Sequence, residues 1–166
     1  MPTRIKVVDG HMYPVEDPFT WVDDEQDLVD GDVILSLARF QAEGDRLLSE
    51  GRAVGVRLKS GEEVEALAYD LPRISLVALE FPKYLDGRHY SNARILRGRY
   101  KFAGEVRAVG DVLREQAHVM LRSGFDAFEP ADGSGAQEWE AATRRYRHVY
   151  QRAADGRIPA FVERES

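Results

Sequence analysis

Alternation is the feature of this sequence that most restricts its fold. Between Asp32 and Pro130, short apolar runs recur with helical patterns between them. The runs are VILSLARF from Val33, AVGVRL (Ala53 to Leu58), ISLVALEF (Ile74 to Phe81), EVRAVG (Glu105 to Gly110) and FDAFEP (Phe125 to Pro130). Strands that alternate with helices over short links read as βα units on a mainly parallel sheet with right-handed crossovers. ISLVALEF is apolar almost throughout, as expected of a strand covered on both faces. The expected fold is α/β, with a sheet of about five strands in an open three-layer or partial-barrel arrangement. Five units are too few to close the usual eight-stranded barrel.

The intervening segments carry helix signals. Gln41 to Glu50 reads as a short helix stopped by Gly51. Glu62 to Leu71 places Val64, Leu67, Ala68 and Leu71 on one helical face, and Pro72 ends it. A helix is expected from about Ser91 to Tyr100, another from Asp111 to Ser123 stopped by Gly124, and a last one from about Ala136 to Ala153. Ahead of the alternation, IKVVDGHMYPV carries Asp9-Gly10 between two apolar runs, the signal of a small hairpin. Pro14, Pro18 and the acidic stretch Asp23 to Asp27 mark a connector. Residues 1–31 thus read as hairpin and linker, 32–154 as one α/β domain, and 155–166 as a tail.

Composition narrows the function classes. The net charge of -6 argues against a mainly electrostatic grip on nucleic acid or an anionic membrane. The 166 residues contain no cysteine, which removes disulfides, a cysteine nucleophile and thiolate-bound iron–sulfur clusters. No apolar run approaches the ~20 residues of a membrane span, and the first residues lack a signal peptide's apolar stretch. A soluble cytoplasmic protein is the expectation. His11, His89, His118 and His148 fall on separate elements without metal-motif spacing, so no metal is expected. No Gly-x-Gly-x-x-Gly follows any strand, and no cofactor is assigned.

In parallel α/β folds, ligands gather where strand carboxyl ends lead into helices. That rule selects Glu80 and then Asp86, Gly87, Arg88, His89 and Tyr90 from the third strand, Gly110, Asp111 and Arg114 from the fourth, and Phe128 and Glu129 from the fifth. Arg88 can fork onto an anion or carboxylate, and Asp86 and Arg88 can equally brace their own turn around a glycine with positive φ. Ser91 and Asp111 are natural helix N-caps, which competes with a nucleophile or a catalytic carboxylate. Arg94, Arg97, Arg99 and Lys101 interleave with Tyr100 and Phe102, a pattern that fits a solvated face or an acidic protein partner. Arg144, Arg145, Arg147 and His148 suit a helix C-terminus. The candidate binding rim is Asp86, Arg88, Tyr90, Arg97, Asp111 and Arg114, with no catalytic residue assigned.

FPKYLDGRHYSNARILRGRY, followed by GEVRAVGDVLREQAHVMLRSGFDAFEP, resembles the bacterial domain-of-unknown-function family 934. The resemblance runs from about Val33 to Pro130. It rests on Phe81, Asp86-Gly87-Arg88, Tyr90-Ser91, Ala93, Leu96-Arg97, Arg99, the block Arg107 to Arg114, and Gly124 to Phe128. His89 departs from it, since the family often carries a small residue there. The resemblance implies a place beside sulfite reductase in sulfate assimilation. Members are described as oxidoreductases, or as proteins of sulfite reduction, by gene neighbourhood. Two readings follow. In one, an accessory protein binds sulfite reductase or its electron donor through the rim. In the other, an oxidoreductase holds a sulfur oxyanion on Arg88, Arg97 and Arg114, with Asp111 as acid–base group.

Overall fold

The structure, a computed structural model, describes residues 3–83 and 87–145. Asp86, residues 155–166 and the part of the last expected helix beyond residue 145, with Arg147 and His148, lie outside the described residues. The chain forms strands β1 (Thr3–Val8), β2 (His11–Glu16), β3 (Phe19–Trp21) and β4 (Asp32–Ser36). Helix α1 (Leu37–Ser49) and β5 (Val54–Leu58) follow. After two 3-10 turns, Val64–Leu67 and Leu71–Arg73, come β6 (Leu76–Phe81), α2 (Arg88–Gly98) and β7 (Glu105–Gly110). A 3-10 turn (Arg114–Gln116), α3 (Ala117–Ser123), β8 (Ala127–Phe128) and a helix over residues 136–145, α4, complete the described chain.

The α/β class and the parallel alternation are as read from the sequence. The strand number is not: one eight-stranded sheet runs β2-β1-β8-β7-β6-β5-β4-β3. From β3 to β8 each strand pairs in parallel with its successor, and the hairpin adds β1 antiparallel to β8. The Asp9-Gly10 turn is the tight hairpin its sequence suggests, with both residues at positive φ. The extra strands are that hairpin, which joins the main sheet, and the three-residue β3 in the segment read as a connector.

Successive parallel neighbours joined by crossovers of one hand place all helices on one face. Val33, Leu35, Val56, Leu79, Val106 and Ala108 meet Phe40, Leu47, Ala93, Leu96, Met120 and Trp139 of the helices in one core. The other face carries a small cluster of Ile34, Leu76, Ala78 and Val109, with Phe19 against it. Of the two arrangements left open by the sequence, the partial barrel is therefore the one adopted.

Connectivity also requires the sheet to curl. β2 and β3 lie at opposite edges, yet only Asp17 and Pro18 separate them. Three Cα steps of 3.8 Å span at most about 11 Å, so the two edges approach at this point. Residues 11–21 act as one bent strand whose first half pairs with β1 and whose second half pairs with β4.

Local chemistry explains the shifted boundaries. The first β-rich run ends at Ser36, not Phe40, because Ser36 Oγ accepts from Arg39 N (3.1 Å) and caps α1. Residues 62–71 bury Val64, Leu67 and Leu71 as the spacing suggests. Their bonds are i to i−3, from Ala66 to Glu63 and from Asp70 to Leu67, so the segment is 3-10 and Pro72 sits inside its second turn. Helix α2 starts at Arg88 with Gly87 as N-cap, which leaves Ser91 exposed inside the helix and not capping it. Gly87 has φ -90, so its glycine is not demanded by a left-handed backbone. Asp111 caps no helix either, since a 3-10 turn with Leu113 at its N-cap precedes α3.

Candidate functional site

The expected rim separates into parts. Asp111 N donates to Phe81 O (2.9 Å), which sets the loop after β7 against the end of β6. Tyr90, in the first turn of α2, packs on Phe81 and hydrogen-bonds Gln116 beyond β7. Burial pushes its phenol pKa up, against that hydrogen bond. The two loops therefore meet through Tyr90. Arg88 is exposed at the start of α2, beside Gly61, and has partners within the protein. Arg114 is half-exposed and bonds Glu138 on α4 (3.2 Å).

Arg97 stands elsewhere. It lies near the carboxyl end of α2, toward the residues that enter β7 and β8. Its Nε donates to Gly124 O (3.0 Å), its Nη1 donates to Phe102 O (2.9 Å) and Gly104 O (2.7 Å), and Nη2 pairs with Asp126 (3.3 Å). Those carbonyls close helix ends and a strand entry, so Arg97 is a clasp and does not share the rim.

A second constellation lies on the helix-free face of the sheet. Strand alternation puts Glu105 and Arg107 of β7 on that face, between the core-facing Val106 and Ala108. Arg107 is fully buried. Its Nε donates to Glu105 (2.7 Å), Nη1 to Asp17 (2.8 Å) and Glu129 (2.7 Å), and Nη2 to Asp17 (3.1 Å). Glu105 also accepts from Arg4 Nε (3.0 Å) and Nη2 (2.9 Å) and from Lys6 (3.3 Å). Burial opposes the charge of Arg107, but the hydrogen bond to Asp17 and the charge of Glu105 outweigh it and raise its pKa. Burial would raise the Glu105 pKa, yet hydrogen bonds from Arg4 and Arg107 hold it below the ordinary value. Because Asp17 sits in the two-residue link between the sheet's edges, the Arg107–Asp17 pair ties the middle of the sheet to its seam.

Above this network is a cavity of about 540 Å³. Phe19, Trp21, Ile34 and Pro130 line it, with Arg107, Asp17 and Glu129 and the loop 133–136 that leads into α4. Trp21 is partly exposed and carries the Arg57 guanidinium 4.7 Å from its ring. Arg57 in turn donates to Glu80 (2.9 Å). The start of α4 is served by its own acids. Gly135 N donates to Glu138 Oε1 (2.7 Å), and Ser134 N donates to Asp132 Oδ1 (3.0 Å). The Ser134 hydroxyl and N–H hold the Asp132 pKa low. Trp139 anchors the helix on Phe128 with ring centroids 4.8 Å apart, and its Nε1 donates to Ser134 Oγ (2.8 Å).

Of the charged residues on this face, the strand-end rule reached only Glu129 and Glu80; Arg4, Asp17, Arg57, Glu105 and Arg107, and the indole of Trp21, escaped it. The available signal was charge at alternate positions inside apolar strands: Glu105 and Arg107 in EVRAVG, and Arg57 in GVRL. Among the described residues, no group of three or more His, Asp or Glu side chains could hold a metal ion, and no helix is long and apolar enough to cross a membrane.

The fold and this face define an α/β protein with a curled, mainly parallel sheet and a charged cavity on its helix-free face. The chain belongs to the bacterial protein family of unknown function DUF934, whose sequence model matches residues 55–161. The match takes in Glu105, Arg107 and Glu129, whereas Arg4, Asp17 and Trp21 precede it. No curated protein matches the sequence.

Proposed function

We propose that this protein is an accessory of assimilatory sulfite reduction that docks on sulfite reductase or its electron donor through the surface around Arg88, Asp111, Leu113 and Arg114. The pathway rests on the family resemblance, whose members are encoded beside sulfite reductase. Docking on protein, in preference to holding a sulfur oxyanion, rests on the bonding of the arginines. Arg97 is taken up by three carbonyls and Asp126, and Arg114 by Glu138, so the expected cluster of anion-binding guanidinium groups does not assemble. The same surface exposes Leu113 between Asp111 and Arg114, an apolar side chain with charged neighbours, as a protein partner would meet.

The test is co-purification of the tagged protein with sulfite reductase from cells grown on sulfate as sole sulfur source. The pair should associate, and Arg114→Glu with Leu113→Ser should abolish the association while leaving the melting temperature nearly unchanged. No association at micromolar concentrations removes the reading. Stabilisation by millimolar sulfite would instead favour the oxidoreductase that holds a sulfur oxyanion.

A further inference from the structure

The cavity at the seam of the sheet is lined by none of the docking residues Arg88, Asp111, Leu113 and Arg114, and its chemistry does not suit an oxyanion. Its two lining guanidinium groups are turned inward: Arg4 is nine-tenths buried on Glu105, and Arg107 is wholly buried on three carboxylates. A helix N-terminus at such a place ordinarily invites an anion. Here Glu138 and Asp132 already occupy backbone N–H groups at residues 135 and 134. What the mouth presents outward is negative. Glu129 is 41% exposed beside the cavity, and Asp17 lines the same opening. The apolar part of the wall is Phe19, Trp21, Ile34 and Pro130.

The geometry points to a binding site for a small, flat, cationic or N–H-rich organic molecule, its ring against Trp21 and Phe19 and its donors on Glu129 and Asp17. A volume of about 540 Å³ is in the range of small-molecule sites, which pair an apolar wall with a few convergent polar groups. The exposed indole supplies stacking area, and Glu129, whose only donor among the described residues is a shared guanidinium N–H, retains capacity to accept from a ligand. The mouth opens between Trp21, the last residue of β3, and Glu129 and Pro130, which follow β8.

Three probes with one ring and different charge test this: benzamidine, benzamide and benzoate, titrated into the full chain and followed by calorimetry and by intrinsic tryptophan fluorescence. Benzamidine should bind saturably, at least about tenfold more tightly than benzoate, with benzamide between them. Glu129→Gln should weaken benzamidine about tenfold while changing benzamide little, and Trp21→Ala should weaken both. Both side chains are partly exposed, and unchanged thermal melting would certify that the variants are folded. Equal affinity for benzamidine and benzoate, no saturable benzamidine binding, or indifference to Glu129→Gln overturns the site. None of these outcomes bears on association with sulfite reductase, so the two readings fail independently.

Discussion

Replacing Arg107 by methionine keeps the side chain's length and much of its volume while removing its charge. The fully buried guanidinium serves Glu105, Asp17 and Glu129. Glu105 and Asp17 are themselves buried to about nine-tenths, and only Glu129 can turn to solvent. Breaking a buried pair by removing one partner typically costs 3–5 kcal/mol, since the remaining charge stays desolvated. Glu105 keeps Arg4 and Lys6, so the lower half of that range, about 3 kcal/mol, applies. For a chain of this length that corresponds to a fall in melting temperature of roughly 6–12 °C. The sign of the pH dependence follows from Glu105. Its folded pKa is depressed, so it contributes stability above its ordinary value of 4.5, and that contribution is lost as pH falls below it. Loss of Arg107 brings the folded pKa back toward 4.5, so the stability gap between wild type and variant should be full at pH 7 and narrow as pH drops through 4.5. Urea unfolding at pH 7 and pH 4, with the m-value checked for constancy, measures both. A gap below about 1 kcal/mol at pH 7, or one that does not narrow with acid, refutes the view that Arg107 is a neutralising hub.

Gly110→Ala should destabilise by roughly 1–3 kcal/mol in the same assay, because Gly110 has φ 88 and a Cβ there would lie 2.5 Å from Phe81 O. Glu140 accepts from Met12 N (2.8 Å) and contacts His11 (3.0 Å) and Arg144 (2.8 Å), which holds its pKa down to about 2 and tethers α4 to the hairpin. With a depressed folded pKa, this tether is fully present above 4.5 and is lost as pH falls toward 2. Glu140→Gln should therefore speed hydrogen exchange at the Met12 amide at pH 7, and the two proteins should converge below pH 2.

What was legible in the sequence was local. EVRAVG reads as β7 to the residue, because its apolar positions alternate and glycine ends it. Gly124 ends α3 with φ 119, as a glycine after a helical run should. Asp9-Gly10 sets the hairpin turn. The joining of that hairpin to the parallel sheet was not legible, since strand pairing across the sheet carries no local signature. β3 has three residues between Pro18 and an acidic loop, too short for a period-two pattern to register. The 3-10 turns at 64–73 have the burial pattern of a helix, and side-chain spacing alone does not distinguish i−3 from i−4 bonding.

The candidate site was obscured for a related reason. A rule that looks for function in loops after strands assumes that strand interiors are apolar. In a sheet that curls with all its helices outside, the inner face is enclosed by the sheet and not by a second layer. Charge can then sit there if every charge has a partner. Arg57, Ala78, Arg107, Ala127 and Lys6 fall in one register row on this face. The small alanines at 78 and 127 flank Arg107 and leave room for its guanidinium and for the carboxylates that reach it. Asp17 could be assigned to Arg107 only once the β2–β3 link was known to close the sheet, 90 residues away in sequence. A guanidinium placed by β7, a carboxylate placed by the seam and an indole placed by β3 converge only when the sheet is curled. Loss of the Arg107–Asp17 pair should therefore open the cavity mouth as well as destabilise the chain, and a folded Asp17→Asn variant should bind benzamidine more weakly than wild type.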